Sequence, residues 1–597
     1  MQRFLSLIAI LIAVAPALTP SARADQSGLT WHRWSDALFD RAARENKYIL
    51  LHMAAVWCHW CHVMERTTYR DPAIQRRLAE RFIAVRVDQD SDPELSYRYE
   101  NWGSPATIMF DKDGNEIFKR RGYISPELFD RLITAVIEDP SALPEQRLGV
   151  EVPPSVGGLS AARRAQTETL IDAAHDKING GFGNVHRFIH GDTVEWALER
   201  GRTLARNAEP APWRAMALRT LSGATRLIDP VWGGIYQYAD RPDWSGAHFE
   251  KLLNIQRDAI RTYVLAWQIE GDPAHLAAAR EVARWLTAFM RDPSGAFYVS
   301  QDADASPELP GGKFYALPDA ARRAGPQPPI DRSLYARETG WAAASLAALY
   351  DVTGDAALLD AARAAVAWAL AHRRAPGGGM GHAQPTDADT HLGDTLAIAE
   401  AALALHRSTA ERRYLSIAGE LAAVILRDHT DPAGGFMVRV PTQGARGALA
   451  RPVRQIDENM ASVRLLNLLH RYTGRTEFRA GAEHGMRYLI SLAEDDLIVP
   501  GALLADRELS REPTHVTIVG AKDDPAARRL YEAARRYPTR YLRIEWWDRR
   551  EGPLALSDVE YPELEEAAAF ACANGLCSIP VTEPTEVHRI VSRVDDR

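Results

Sequence analysis

The chain has 597 residues, a formal net charge of −8 and a sequence pI near 6.2. That length has room for roughly two to four domains. Its 46% apolar and 25% charged residues exclude whole-chain disorder, a collagen and a small disulfide scaffold. A mildly acidic chain with no basic tract is poorly suited to nucleic acid, and no nucleic-acid partner is expected.

Residues 1–24 read as a secretory signal peptide. Arg3 gives a positive start, Phe4 to Leu18 form an apolar run, and Ala22-Arg23-Ala24 is a small-residue cleavage motif before Asp25. The run is short for a bilayer span, and no later window is long and apolar enough for one, so no stable membrane span is expected. The expected location is therefore periplasmic or secreted. An oxidising compartment permits disulfides among the only four cysteines, Cys58, Cys61, Cys572 and Cys577.

Residues 28–145 carry the pattern of a thioredoxin-like α/β domain. A buried strand over 47–53 leads into Trp57-Cys58-His59-Trp60-Cys61-His62 and a helix from Val63. A second helix (72–81), a strand (82–87), a turn through Gly103-Ser104-Pro105, a hairpin around Asp113-Gly114 and a closing helix (126–138) follow. The unpaired N–H groups of a helix start favour a thiolate, so Cys58 is the expected nucleophile, with Cys61 placed to resolve a mixed disulfide. His59 and His62 can add positive charge, and Pro105 occupies the position where this fold sets a cis-proline beside the thiol. The exchange reading expects Cys58 to be exposed at the helix tip. Cys58, His59, Cys61 and His62 are also metal-type donors, and that alternative stays open. His52, six residues before Cys58, reads as either a proton relay or a core histidine.

Residues 158–505 read as eleven or twelve helices, among them 161–178, 213–228, 249–269, 274–291, 334–352, 355–373, 392–408, 413–428, 458–472 and 478–492. Glycine-rich turns such as Gly180-Gly181-Phe182, Gly233-Gly234-Ile235 and Gly434-Gly435-Phe436 separate helix pairs. Stacked hairpins of this kind imply an (α/α)6 toroid, with an open solenoid as the alternative. Two segments read as mouth loops and supply ligand-binding candidates: His248, Glu250 and Asp258 in one, Asp302, Asp304 and Tyr315 in the other. Paired carboxylates beside aromatics suit glycoside chemistry, and turn capping or a solvated face suits them as well.

Residues 506–597 read as a small α/β segment with strands at 514–520 and 541–546 and a helix at 524–536. Cys572 and Cys577 read as a local disulfide, with free thiols and metal ligation as alternatives.

Ala55 to Glu65, Arg86-Val87-Asp88, His248 to Leu252, Gln301 to Asp304 with Gly312 to Tyr315, and Cys572 through Thr582 together resemble the thioredoxin-domain family named after spermatogenesis-associated protein 20. The resemblance implies a thioredoxin-like domain followed by a six-hairpin, glycosidase-like toroid; it brings no defined substrate. The chain departs from the family pattern at Val56-Trp57, Ser104, Arg187-Phe188-Ile189, Asn254-Ile255-Gln256 and Glu458-Asn459-Met460.

The leading functional reading is an exported thiol–disulfide oxidoreductase working through a Cys58–Cys61 disulfide on protein thiol or disulfide clients, with the toroid recognising a client or ligand. The alternatives are a carbohydrate-active or carbohydrate-binding toroid with an accessory thioredoxin module, and a non-enzymatic, chaperone-like binding protein. No cofactor and no metal centre is assigned.

Overall fold

The computed structural model describes residues 29–144, 158–204, 212–441, 443–494, 499–573 and 576–595. The signal-peptide reading and the cleavage after Ala24 lie outside the described residues.

The first domain opens with α1 (Ala37–Glu45), β1 (Tyr48–Ala54), α2 (His59–Arg66), α3 (Pro72–Arg81) and β2 (Phe82–Asp88). It continues with α4 (Pro93–Arg98), β3 (Ala106–Phe110), β4 (Glu116–Arg121) and α5 (Pro126–Glu138). The sheet order is β2-β1-β3-β4, with β1 parallel to β2 and β3 antiparallel to both β1 and β4. This is the thioredoxin-like arrangement. Side chains alternate along β1, so Ile49 and Leu51 enter one core with Phe39 and Phe110, while Leu50 enters another with Met64, Phe129 and Ile133. Burying Phe129 and Ile133 stabilises the docking of α5 by about 1.5–3 kcal/mol each. Helix starts are set locally: the Asp71 carboxylate accepts from Ala73 and Ile74 with Pro72 at the first turn, and Ser125 caps α5 ahead of Pro126.

The second unit contains α6 (Ala161–Ala174), α7 (Gly191–Leu204), α8 (Pro212–Ala224), β5 (Tyr238–Ala239), β6 (Ala247–His248), β7 (Lys251–Leu252), α9 (Leu253–Glu270), α10 (Pro273–Phe289), β8 (Ser300–Gln301), α11 (Gly311–Phe314), α12 (Asp319–Ala324) and β9 (Ile330–Asp331). It is completed by α13 (Ala336–Thr353), α14 (Ala356–His372), α15 (Leu392–Thr409), α16 (Arg412–Asp428), α17 (Ile456–Thr473), α18 (Thr476–Glu494) and α19 (Pro500–Ser510). Contacts run α7–α9–α13–α15–α17–α19 and back to α7, closing an inner ring. Helices α8, α10, α14, α16 and α18 each pack outside an inner partner, and α6 packs on α18 and α19. The ring is closed, which decides for a toroid over an open solenoid. Gly340 brings α13 against α15: a Cβ there would stand 2.7 Å from the Ala397 carbonyl carbon. Among the described residues no helix is long and apolar enough to cross a membrane.

The glycine-rich turns leave the outer helices and lead to the inner-helix N-termini, so they share one rim, the mouth. The thioredoxin-like domain sits on that mouth. Arg98 donates to the Ala448 carbonyl (2.6 Å), Arg337 to the Tyr97 hydroxyl (2.9 Å) and Arg439 to Glu94 (3.0 Å), and the His382 ring meets the Asp90 carbonyl (2.7 Å).

The last unit comprises β10 (Thr514–Val519), α20 (Pro525–Arg535), β11 (Leu542–Trp547), β12 (Ala568–Ala573), β13 (Leu576–Cys577) and α21 (Pro584–Asp595). Its sheet order is β11-β10-β12-β13, with β10 parallel to β11 and β12 antiparallel to β10 and β13. Strand for strand this repeats the first domain. It closes the far end of the ring: Glu199 accepts from the Thr539 hydroxyl (2.8 Å) and Arg540 N–H (3.0 Å), and Arg535 pairs with Asp351 (2.9 Å).

Candidate functional site

Strand β1, buried along its length, carries the chain into Ala55-Val56-Trp57, and Cys58 is the N-cap of α2. Its extended backbone (φ −89°, ψ 104°) turns Sγ toward the helix start, where it accepts the Cys61 N–H at 3.1 Å. Cys58 and Cys61 form a disulfide. The loop is pinned from behind: the Asp88 carboxylate accepts the Val56 N–H and Asp90 accepts the Trp57 indole N–H, each at 2.9 Å. Burial pushes Asp88 up to about 6 and Asp90 up to about 8, each raised further by a neighbouring carboxylate. One oxygen from each of Asp88, Asp90 and Asp331 lies within 4.8 Å of the others. The Ser104–Pro105 peptide bond is cis. His52 is fully buried beside Trp31 and Tyr69 with neither ring nitrogen hydrogen-bonded, and burial drives it down to about 3, so it is neutral.

The structure corrects one sequence expectation directly. Cys58 is not exposed at the helix tip; only 4% of its surface is accessible, and Cys61 has none. The cover is the toroid mouth. Leu252 packs on the cluster of Ala54, Ala55, Trp57, Cys58 and Cys61. Trp57 is buried in that cluster, whereas Trp60 remains 52% exposed.

Polar contacts reinforce the cover. The His59 Nδ1 meets Asp304 Oδ2 at 2.5 Å. The His62 Nε2 lies 2.9 Å from the Val56 carbonyl and 3.1 Å from Asp302 Oδ2, so its N–H is shared between them. The bond to Asp302 raises the His62 pKa against the opposing effect of burial. Asp302 and Asp304 are held in a turn in which Asp302 accepts the Asp304 N–H (3.2 Å) and Asp304 accepts that of Gly311 (2.8 Å). Glu250 is 5% exposed with Oε2 unpartnered, and burial, with Asp302 and Asp304 nearby, pushes it up to about 7. The two sets of candidates, thiol residues and mouth carboxylates, thus form one composite site.

Other candidates lie elsewhere. His248 stacks on Tyr238 (4.1 Å between ring centres) and pairs with Asp240 (3.1 Å). Tyr315 stacks on Phe249 (5.3 Å), and its hydroxyl is buried without a partner. Behind it Lys251, fully buried, donates to Asp229 (2.8 Å) and the Gly233 carbonyl (2.7 Å), and Arg322 binds the same Asp229. Asp258 faces the ring's interior between Arg257 (3.0 Å) and Arg261 (3.5 Å).

That interior is a cavity of about 770 Å3 lined by Tyr97 and Glu100 from the thioredoxin-like domain, Trp341, Glu400, Asp457 and Glu458 from the ring, and Arg540 from the last domain. Burial raises Glu100 to about 7, helped by Asp457, and Asp457 itself to about 6. Glu458 also rises to about 7 on burial, against the opposing effect of Arg337 and the Tyr97 hydroxyl. Glu100, Trp341 and Asp457 stand outside the sequence candidates. Acidic residues in the first turns of α7, α13, α15 and α17 (Asp192, Glu338, Asp394 and Asp457) were the available signal.

Residues 21–126 match the Thioredox_DsbH family, described as a protein of unknown function, DUF255. Spermatogenesis-associated protein 20 of Homo sapiens is 25% identical over 315 residues, covering 47% of this chain and 39% of that protein. The thiol:disulfide interchange protein DsbD 1 of Pseudomonas aeruginosa is 33% identical over 100 residues, covering 16% of this chain and 17% of that protein. The chain therefore spans about two fifths of the length of the mammalian relative. Among solved structures, cellobiose 2-epimerase from Bacillus thermoamylovorans aligns with 54% of this chain and 85% of that one at 10% identity and a TM-score of 0.42. A thioredoxin from Thermus thermophilus aligns with 18% of this chain and 88% of that one at 24% identity and a TM-score of 0.17. In sequence this chain is thus similar to spermatogenesis-associated protein 20 and its homologues, and in its first domain to the Thioredox_DsbH family.

Proposed function

We propose that the protein is an exported thiol–disulfide oxidoreductase whose working pair is Cys58–Cys61. One observation carries the reading: Cys58 Sγ sits at the first turn of α2, accepting the Cys61 N–H, where a thiolate formed on reduction meets helix N–H groups. A dithiol in its thiolate form attacks Cys58 Sγ, and the Cys58–Cys61 bond breaks with its electron pair leaving on Cys61. The dithiol's second sulfur then closes its own disulfide and releases Cys58. The dithiol is oxidised and the protein pair reduced; the reverse sequence oxidises a client.

The mouth loop makes this a guarded site. In the closed arrangement Cys58 is out of reach of a folded client, so exchange with a protein requires the loop carrying Asp302 and Asp304 to part from α2. Small dithiols are the favoured reactants. The test is a Cys61→Ser variant expressed in cells: mixed disulfides should accumulate on Cys58, and Cys58→Ser should abolish both trapping and reduction by a small dithiol. Wild-type exchange in both variants overturns the proposal.

A second reading rests on the interior cavity, where Trp341, stacked by Arg257 and Arg337, lines the wall and Glu100, Asp457 and Glu458 are carboxyls with raised pKa values. Such a set suits a neutral polyhydroxylated ligand, a sugar or glycan, with acid–base groups beside it. Calorimetric titration with oligosaccharides tests it; no heat and no change in melting temperature across a broad panel removes it.

A further inference from the structure

The last domain holds a cysteine pair that the proposed function leaves unused. Cys572, on β12, and Cys577, on β13, stand opposite each other in the strand register and are joined as a disulfide. Their environments differ. Cys577 is exposed, and its neighbour Ile579 is 84% exposed, whereas Cys572 is only 2% exposed, packed with Val519 and Phe570. On its other side Cys572 stands opposite His515 of β10. Directly opposed residues of antiparallel strands share a face, with Cβ atoms about 4.5–5.5 Å apart, so the His515 and Cys572 side chains leave the sheet side by side.

His515 is oriented from its far side. Its Nε2 lies 3.0 Å from Glu545 Oε2 and 3.0 Å from the Thr517 hydroxyl. Glu545 is paired with Arg543 (2.8 Å), and Arg543 with Asp558. The Tyr561 hydroxyl donates to Thr517 (2.7 Å), and His406 of α15 senses the Glu545 charge across the domain boundary. His515, Arg543 and Glu545 are all nearly inaccessible to solvent. A buried polar chain of this kind is costly in a small sheet unless it serves something, and its last member, His515, stands opposite Cys572 in the strand register. Stapling alone explains little: a bond closing so short a hairpin restricts the unfolded chain least of all.

We propose that Cys572–Cys577 is a second thiol–disulfide exchange site, with Cys577 the sulfur attacked, Cys572 the leaving sulfur and His515 its positioning residue. Reduction consumes a small dithiol. One thiolate of the dithiol bonds to Cys577 Sγ as the Cys572–Cys577 bond breaks, and the electron pair leaves on Cys572 beside His515, whose imidazolium form stabilises the thiolate or gives it a proton that is replaced from the reductant's second thiol. The second thiol of the reductant displaces Cys577 as it closes its own disulfide. Two electrons and two protons pass from the dithiol to the cysteine pair. The site differs from the first in layout, since its cysteines lie in a strand hairpin and not at a helix start.

The test uses the full chain carrying Cys58→Ser and Cys61→Ser, so that only this pair reports. Under native conditions dithiothreitol is added and free thiols are counted by alkylation against time. Separately, glutathione is used as a monothiol and its adduct is located by mass spectrometry. The pair is expected to open while the circular dichroism of the folded protein is unchanged, with the glutathione adduct on Cys577. His515→Gln should slow opening by about tenfold, because a poorer leaving thiolate departs more slowly, and should flatten its pH dependence. A pair that opens only on unfolding, an adduct on Cys572, or wild-type rate and pH profile in His515→Gln each overturns the proposal. Should His515→Gln not fold, the adduct's position in the chain with His515 intact decides alone.

Discussion

The contact between His62 and Asp302 offers a quantitative test of the guarded-site reading. Asp302→Asn keeps an acceptor for the His62 N–H but removes the carboxylate charge. Asp302 is almost inaccessible and the bond is charge-assisted, so its weakening costs the closed state about 1–2 kcal/mol. The His59–Asp304 contact is left out of this figure because His59 is 40% exposed and its pairing is screened. A change of that size raises the open population about 5- to 30-fold, at 1.36 kcal/mol per factor of ten. If opening gates access to Cys58, the rate of disulfide reduction by dithiothreitol, followed by quenched alkylation, rises by the same factor. The pH dependence has a fixed sign. The folded pKa of His62 is raised, so its contribution to closure is complete below 6.5 and is lost as pH climbs through the raised value. The wild type should therefore gain rate above pH 6.5 beyond the gain due to reductant ionisation, and Asp302→Asn should lose that extra rise. An unchanged or slower rate in Asp302→Asn refutes the gate, whatever the chemistry at Cys58.

Three further outcomes follow from buried charges and close backbones. Asp90→Asn should stabilise the protein by about 1–3 kcal/mol at pH 8 and hardly at all near pH 4: a carboxyl whose pKa rises from 3.8 to about 8 on folding costs stability increasingly across that interval, and thermal melts at both pH values read the difference. Lys251→Met should lower stability by about 3 kcal/mol, since it removes one of the two buried cations that compensate Asp229; denaturant unfolding measures it. Gly340→Ala should cost about 1–3 kcal/mol by pressing a methyl group onto the Ala397 backbone where α13 meets α15, seen as a lowered melting temperature with no change at the Cys58 site.

Much of the fold was legible because its signals are local. The strands read at 47–53, 82–87, 514–520 and 541–546 fall within a residue of β1, β2, β10 and β11, since each is an apolar run broken by a turn or cap. Helix α9 begins at Leu253 and not at Phe249, because Lys251 and Leu252 pair with β8 before the helix starts. Helices α7 and α19 were not among those named. Glu195, Glu199 and Arg202 interrupt the apolar face of α7, and these charges are satisfied only inside the ring. The composite site was illegible for a related reason. His62 and Asp302 are 240 residues apart, and both stand among the sequence candidates without any sign that they touch.

The burial of Cys58 joins the two halves of the molecule into one argument. A thioredoxin-like domain alone would present the tip of α2 to solvent; here the mouth of the ring supplies Leu252 and two carboxylates that cover it. The same docking places Tyr97 and Glu100 at the roof of the interior cavity and Asp90 against His382. A motion that lifts the whole domain off the mouth uncovers the disulfide and unroofs the cavity together, whereas a motion of the loop carrying Asp302 and Asp304 uncovers the disulfide alone. Where the domain lifts as a whole, ligand in the cavity and reduction at Cys58 are coupled through that shared roof: a ligand that prefers the closed form slows reduction, at saturation by a factor equal to its preference for closed over open.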